Sequence, residues 1–259
     1  MTMNAKFSLG MTAAAVLCFA QMSGAQTDPR YKVHDMTRPA PTEIDPGTAS
    51  TQKEAGKAPS DAIVLFDGKD LSQWCDKEGQ PSKWKVENGY IEVTPHGGDL
   101  VTRRAFGDMQ MHIEFAEPVP AVGEGQARGN SGVILMNQYE IQVLDSYHAA
   151  TYPDGQAGAV YGQYPPQVNA TRPPGEWQTY DIVFHGPRFD ASGTLTRKAH
   201  VTVIHNGVLV QDNVEIEGIT YIDPSVYKPV PEKMPLHLQD HHYPVHFRNI
   251  WIRELGPGQ

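Results

Sequence analysis

Apolar and polar residues alternate along most of the chain, and this period of two predicts β-strands. The clearest run is residues 109–115, in which two methionines, an isoleucine and a phenylalanine alternate with Gln, His and Glu. In a strand, such alternation gives one apolar and one polar face. Similar runs lie at residues 83–93, 133–136, 139–144, 177–184, 201–210, 236–241 and 245–252.

Turn-forming residues separate these runs. Asn88-Gly89 and Asn206-Gly207 are dipeptides typical of tight hairpins. No segment has the sustained apolar period of 3.6 residues that an amphipathic helix requires. The pattern therefore predicts an all-β sandwich or jelly roll of antiparallel sheets over residues 61–259, with its folded part ending near Leu255.

The first 60 residues have a different composition. Residues 1–25 combine Lys6, an apolar run at 7–20 and a small-residue end at Ala25, the order of a secretory signal peptide. We expect cleavage after Ala25 and export to the periplasm or the medium. Residues 26–60 are rich in Pro, Thr, Ala and charge, which predicts a flexible or loosely draped arm.

Charge and cysteine content exclude several classes of function. Loss of Lys6 with the signal peptide changes the formal net charge from −9 to −10. An acidic chain without basic clusters argues against binding to nucleic acid or anionic membranes. The apolar run at 7–20 is shorter than the roughly 20 residues of a membrane span. Only Cys75 remains after processing, so the mature chain has neither an internal disulfide nor a cysteine-based zinc site.

Residues 139–144 carry the strongest sign of a site. Ile141 and Val143 point to one face of this predicted strand, while Glu140 and Gln142 point to the other. A strand with an aliphatic inner face and a carboxylate and an amide outside suits the wall of a polar groove. Such residues also occur on half-buried strands for solubility alone, so this structural alternative stays open.

Other polar residues could share this groove. Arg128 and Asn130 lie in a glycine-bearing turn upstream, and Gln239 and His241 share one face of an extended segment. The long loop 147–174 contains several tyrosines, and aromatic faces stack on sugar C–H surfaces. Of these we select Tyr161 as a substrate-binding residue, with packing over the sandwich edge as the alternative.

Five blocks in the chain, taken in order, resemble one known family. They are LFDGKDLSQW at 65–74, RGNSGVIL at 128–135, YEIQVLDS at 139–146, PPGEWQTYDI at 173–182 and LHLQDHHYPVHFRNIWIREL at 236–255. The ordered set resembles the 3-keto-disaccharide hydrolase family over roughly residues 62–255. The resemblance implies a concanavalin-like fold and action on glycosides that a separate sugar 3-dehydrogenase has oxidised at C3. One departure is His242, where the family pattern has glycine.

Cleavage of a 3-keto-glycoside needs few groups. The ketone acidifies the hydrogen on C2, because the carbanion is delocalised as an enolate, and loss of the C1 substituent then follows by elimination, with or without addition of water. The reaction requires a base near C2, a donor or cation at the C3 oxygen and an acid at the glycosidic oxygen. We predict Glu140 as the base, with His241 as the second choice for base or as acid.

The remaining candidates have supporting roles. Arg128 and Asn130 are predicted to donate to the C3 oxygen or to hydroxyls, and Gln142 and Gln239 to orient the substrate. Asp145 is predicted as a third residue of the catalytic group that holds a neighbouring His or Arg, with a turn cap as the structural alternative.

Three alternatives remain open at this stage. An ordinary glycosidase is disfavoured, because relatives with this fold often use E-x-D-x-x-E and Gln142 replaces the central carboxylate here. A non-catalytic glycan-binding module is the main alternative. No cofactor is certain. A divalent ion held by Glu140 and His241 would polarise the ketone, although the histidines of 237–246 follow no recognised ligand spacing.

Overall fold

The computed structural model describes residues 29–256. The predicted signal peptide lies outside the described residues. Pro41–Gly256 form one compact unit. In the separate short segment 29–40, Arg30 and Arg38 lie over the ring of Tyr31, at 5.6 and 5.9 Å from its centroid. Within residues 29–256, the only helical elements are the 3₁₀ turns Gly125–Ala127 and Pro153–Gly155, and no helix is long and apolar enough to cross a membrane.

The described residues form fifteen strands, most of them short. In chain order these are β1 Ile63–Phe66, β2 Trp74–Cys75, β3 Lys85–Glu87, β4 Tyr90–Glu92, β5 Leu100–Phe106, β6 Met109–Ala116, β7 Ser131–Leu135, β8 Tyr139–Val143, β9 Gln178–His185, β10 Arg188–Phe189, β11 Leu195–Arg197, β12 His200–His205, β13 Val208–Glu215, β14 Met234–Leu238 and β15 His246–Glu254.

Two antiparallel sheets enclose the core. The large sheet has the order β13-β12-β9-β6-β15-β4-β3, with β1 also paired to β15, and the small sheet has the order β2-β5-β14-β7-β8. The apolar residues of β6 and β8 predicted to face inwards are fully buried, and both strands contribute to one hydrophobic cluster. The predicted all-β sandwich of two antiparallel sheets is confirmed.

Part of the predicted arm lies on the face of the large sheet that is turned away from the core. Gln52 exchanges two hydrogen bonds with the backbone of Trp177: its Nε2 donates to the carbonyl oxygen (2.9 Å), and its Oε1 accepts from the backbone N–H (2.7 Å). The Arg248 guanidinium donates to the Thr51 carbonyl at 2.5 Å and lies 4.1 Å above the Trp177 ring. Residues 50–52 therefore lie on the sheet and are bound to it by hydrogen bonds, and a draped arm is one of the two forms that composition predicts.

A buried carboxylate is the centre of this arm contact. Glu114 is fully buried and accepts hydrogen bonds from Ser50 Oγ, from Asn249 Nδ2 (2.7 Å) and from Arg248 Nε (2.7 Å), while His112 Nε2 lies 3.3 Å away. Burial alone would raise the pKa of Glu114, but these donors lower it to about 2. Polar groups rather than apolar ones anchor the arm, which explains why a composition poor in aliphatic residues concealed the contact.

His112 is the cationic partner in this cluster. Its Nδ1 lies 2.7 Å from Asp181 Oδ1, and its Nε2 faces Glu114. Burial alone would lower the pKa of His112, but the two carboxylates raise it to about 9. At neutral pH the imidazole is therefore charged.

We predict that this cluster stabilises the fold most between about pH 4.5 and 6.5. Glu114 has a folded pKa of about 2 against 4.5, so its contribution is present above pH 4.5 and is lost as the pH falls towards 2. His112 has a folded pKa of about 9 against 6.5, so its contribution is complete below pH 6.5 and is lost as the pH rises towards 9. Urea unfolding should reveal a loss of about 1–3 kcal/mol between pH 6.5 and 9.

The His112→Asn variant should lose that part of the pH dependence. His96→Asn, at an exposed histidine, is the matched control and should keep it. An equal pH dependence in wild type and His112→Asn would contradict the assignment.

Candidate functional site

A polar cavity of about 540 Å³ lies on the face of the small sheet that is turned away from the core. Side chains from the small sheet, from the turns beside it and from the loops that follow β8 and β13 line it. The lining residues are Lys77, Asp99, Asn130, Ile134, Asn137, Glu140, Gln142, Tyr161, Tyr221, Gln239 and His241.

Six of the eight residues selected from the sequence line this one cavity. They are Glu140, His241, Asn130, Gln142, Tyr161 and Gln239. The alternation in β8 explains why Glu140 and Gln142 line the cavity. Ile141 and Val143 enter the core, so the residues between and beside them point to the opposite face. Gln239 and His241 follow β14, which pairs with β7, and so reach the same face.

The structure does not bring Arg128 and Asp145 to the cavity, which corrects the expectation of a shared groove. Arg128 Nε donates to Asp145 Oδ2 at 2.6 Å. Asp145 is 1% exposed, and its Oδ1 also accepts from the Tyr147 backbone N–H at 3.2 Å. Asp145 therefore both holds an arginine and stabilises a turn, as the two alternatives for it proposed. A buried carboxylate requires a charged partner, so the Arg128 guanidinium pairs with Asp145 and does not line the cavity.

A third carboxyl lies beside this pair. Glu117 is 1% exposed, and burial, reinforced by the charge of Asp145, raises its pKa well above the usual range. Gln178 Nε2 donates to its Oε2 at 3.4 Å. Asp145 and Glu117 are thus buried beside a partly exposed Arg128, and none of the three lines the cavity.

Glu140 is far more buried than a strand with one solvated face would allow. It is 3% exposed, because the loop after β8 covers the strand: Val160 pairs with Ile141, and the Tyr161 backbone N–H donates to the Glu140 carbonyl at 3.1 Å. Thr220 Oγ1, from the loop after β13, accepts from the Glu140 backbone N–H at 3.0 Å. Glu140 is therefore largely buried at the wall of the cavity, although alternation alone predicts a solvated face.

The carboxyl of Glu140 occupies space that a glycine leaves free. Gly132 lies on β7 beside β8, and a Cβ atom at this position would lie 2.5 Å from Glu140 Oε1. Burial raises the pKa of Glu140 to about 8, and the negative charge of Asp99 adds to this effect. Glu140 is therefore mainly protonated at neutral pH.

Asp99 and Lys77 are cavity residues that sequence reasoning missed. Burial opposes ionisation of Asp99, but the His237 ring, the Asp240 backbone N–H and Lys77 together lower the pKa of Asp99 to about 2. Lys77 Nζ lies 2.9 Å from Asp99 Oδ2, and the Asp240 N–H donates to Oδ1 at 3.0 Å. The cavity thus contains two carboxyls with widely separated pKa values, a pattern typical of acid–base sites.

Two tyrosines enter the cavity from different loops. Tyr161 was predicted, and its hydroxyl lies 2.8 Å from that of Tyr152. Tyr221 was not predicted, and its hydroxyl donates to the Asn137 carbonyl at 3.3 Å. The cluster of tyrosines in the loop 147–174 was a useful signal, whereas nothing in the sequence singled out Tyr221 in the loop after β13.

The histidine-rich segment behind β14 does not converge on one point. His246 Nε2 lies 3.1 Å from Glu92 Oε2 on the large sheet, whereas His241 lines the cavity. Over residues 29–256, no group of three or more His, Cys, Asp or Glu residues could hold a metal ion. His242, at the position where the family pattern has glycine, has a φ of +70°, the left-handed conformation that favours glycine.

The sequence matches, over residues 61–253, the family described as the 3-keto-alpha-glucoside-1,2-lyase-like domain. The chain belongs to this family. A 3-keto-disaccharide hydrolase of Bacteroides thetaiotaomicron is 26% identical over 162 residues, which are 48% of this chain and 52% of that protein. The chain therefore spans about half the length of this curated relative.

Two solved structures from Parabacteroides distasonis ATCC 8503, both provisionally named glycosyl hydrolases, are similar to this family member. The first has 43% identity and a TM-score of 0.82, covering 86% of this chain and 95% of its own. The second has 22% identity and a TM-score of 0.56, covering 75% and 94%, and it supports the fold alone.

We predict that Gly132→Ala impairs the site of this family member without unfolding it. The new Cβ displaces the Glu140 carboxyl, which is the end of a side chain and can move, so the melting temperature should change little. Turnover of the substrate proposed below should fall about 100-fold, as expected for a catalytic group displaced by about 1 Å. Gly207→Ala is the control: its φ of +80° makes alanine strained, so stability should fall by about 1 kcal/mol with turnover intact.

A Gly132→Ala protein with full turnover would contradict this account. A crystal structure of the variant would reveal directly whether the carboxyl has moved.

Proposed function

We propose that this protein is an exported enzyme that cleaves 3-keto-glycosides. One observation carries the proposal: Glu140, a carboxyl whose pKa is raised to about 8, lines a cavity large enough for a sugar. Membership of a family described as 3-keto-alpha-glucoside-1,2-lyase-like supports the same substrate class.

Glu140 is the proposed base. Once ionised, a carboxylate with a pKa near 8 is a stronger base than an ordinary one, and abstraction of a hydrogen from carbon needs that strength. A pKa near the working pH also keeps a useful fraction of the group ionised. Removal of the C2 proton gives an enolate, and expulsion of the C1 substituent completes the elimination. Addition of water to the product would give net hydrolysis.

Lys77 takes the role first considered for Arg128. Its ammonium group lines the cavity beside Asp99, which supplies a cation for the oxygen that becomes the enolate. Asp99, with a pKa of about 2, remains ionised and keeps Lys77 in place. His241 lines the same cavity and is the proposed acid at the glycosidic oxygen.

The further expectations from the sequence stand as parts of this proposal. The protein would act in the periplasm or the medium, after a sugar 3-dehydrogenase has oxidised its substrate. The residues assigned above need no metal. A divalent ion between Glu140 and His241 is the alternative, and chelation tests it.

We predict that purified protein consumes 3-keto-trehalose and leaves trehalose unchanged. Glu140→Gln should reduce turnover about 1,000-fold, because the amide cannot accept the proton. Glu87→Gln, at an exposed glutamate on β3, is the matched control and should keep full activity. In deuterated buffer, wild type should exchange the C2 hydrogen of the keto sugar, and the rate should rise with pH through about 8.

The alternative of a non-catalytic glycan-binding module gives a different result. Such a module would bind both sugars through the same cavity, with neither cleavage nor C2 exchange. Equal cleavage of trehalose and its keto form would instead indicate an ordinary glycosidase. Loss of activity on treatment with a chelator, restored by a divalent ion, would support the metal-dependent alternative.

A further inference from the structure

Gln126, which is not among the cavity-lining residues, binds two amides that are. Asn130 Nδ2 donates to the backbone carbonyl of Gln126 at 2.9 Å and to its Oε1 at 3.3 Å. Gln142 Nε2 donates to the same Oε1 at 2.8 Å. Gln126 thus accepts from both neighbours, and it takes both N–H groups of the Asn130 amide and one of the two of Gln142.

Two backbone carbonyls fix the orientation of all three amides, because a carbonyl oxygen can only accept. Asn130 must direct its nitrogen towards the Gln126 carbonyl. Gln126 must direct its own nitrogen towards the Gly155 carbonyl, at 2.9 Å, where Thr151 Oγ1 also accepts at 2.8 Å. Its Oε1 is then available to accept from Gln142. Rotation of any of these amides by 180° would bring two acceptors or two donors together.

The carbonyl oxygens of the cavity amides are therefore acceptors in need of donors. Asn130 is 4% exposed and Gln142 is 1% exposed. Within residues 29–256, Asn130 Oδ1 and Gln142 Oε1 are buried and have no hydrogen-bond partner. Gln239 also lines the cavity, and its Oε1 is likewise buried without a hydrogen-bond partner among the described residues. Buried polar atoms in proteins are nearly always paired, so these oxygens point to a ligand that donates.

We propose that Gln126 is a positioning residue that makes Asn130 and Gln142 an acceptor wall for the free hydroxyl groups of a sugar. This inference rests on the proposed function. It reverses the role predicted for Asn130, whose donor is already used. The C3 ketone carries no proton to donate, so it is excluded from this wall and takes the donor offered by Lys77. Sugars carrying an ester, an ether or a carboxylate at the wall are rejected for the same reason.

The experiment measures binding and not cleavage. Methyl α-glucoside and its 2-, 4- and 6-deoxy analogues, none of them oxidised, are titrated into wild type and into Gln126→Met, with Kd as the readout. In wild type, loss of at least one hydroxyl should weaken binding about 10-fold. In Gln126→Met the penalty for the hydroxyl that faces Gln142 should shrink to about 2-fold or less, because the Gln142 amide is then free to rotate and donate. Asn130 stays oriented in this variant by the backbone carbonyl of residue 126.

A further variant keeps the test decisive. Gln142→Met removes one acceptor directly and should abolish the penalty even if Gln126→Met folds poorly. A melting temperature near that of wild type establishes that each variant is folded.

Equal penalties in wild type and in both methionine variants would overturn the proposal, as would a wild type that binds no methyl glucoside or discriminates against none of the deoxy analogues. Because the sugars carry no ketone, the readout is independent of the reaction. If the protein discriminates among hydroxyls but never cleaves 3-keto-trehalose, the acceptor wall is supported and the proposed enzymatic activity is wrong. If it cleaves 3-keto-trehalose but does not discriminate among hydroxyls, the proposed activity is supported and the acceptor wall is wrong.

Discussion

The exclusion of bulk water from one carboxyl group determines the character of this site. Glu140 lies over the space that Gly132 leaves free, is covered by two loops and faces the ionised Asp99. Each of these features disfavours the charged form, and together they raise the pKa of Glu140 to about 8. The fold thereby holds a base of unusual strength in contact with a cavity.

A second buried glutamate in the same sandwich has its pKa shifted in the opposite direction. Glu114, on the other sheet, is equally inaccessible, but it accepts hydrogen bonds from four neighbours and its pKa falls to about 2. Desolvation acts on both residues, so the number of donors decides the outcome. A fully satisfied carboxylate anchors the arm and stabilises the fold. An unsatisfied one is available for chemistry, at a cost in stability that the surrounding sandwich must offset.

The alternation of apolar and polar residues predicted the features that depend on the geometry of a single strand. Alternation gave the strands and the correct face for Glu140 and Gln142, and the ordered blocks gave the family. Alternation could not reveal that loops cover β8, because loop position depends on contacts between distant segments. The same limitation applied to Lys77 and Asp99, which precede the site strand and reach it only through the sheet order. Arg128 failed as a site residue because a buried carboxylate, Asp145, holds it elsewhere.

The most direct test of this account is the ionisation of Glu140 itself. Carbon-13 NMR of protein labelled at the glutamate side-chain carboxyl, assigned with Glu140→Gln, measures the pKa without substrate. The account predicts titration near pH 8 in wild type, with a lower midpoint in Asp99→Asn, where the neighbouring charge is absent. A Glu140 midpoint near 4.5, unchanged by Asp99→Asn, would contradict the central claim.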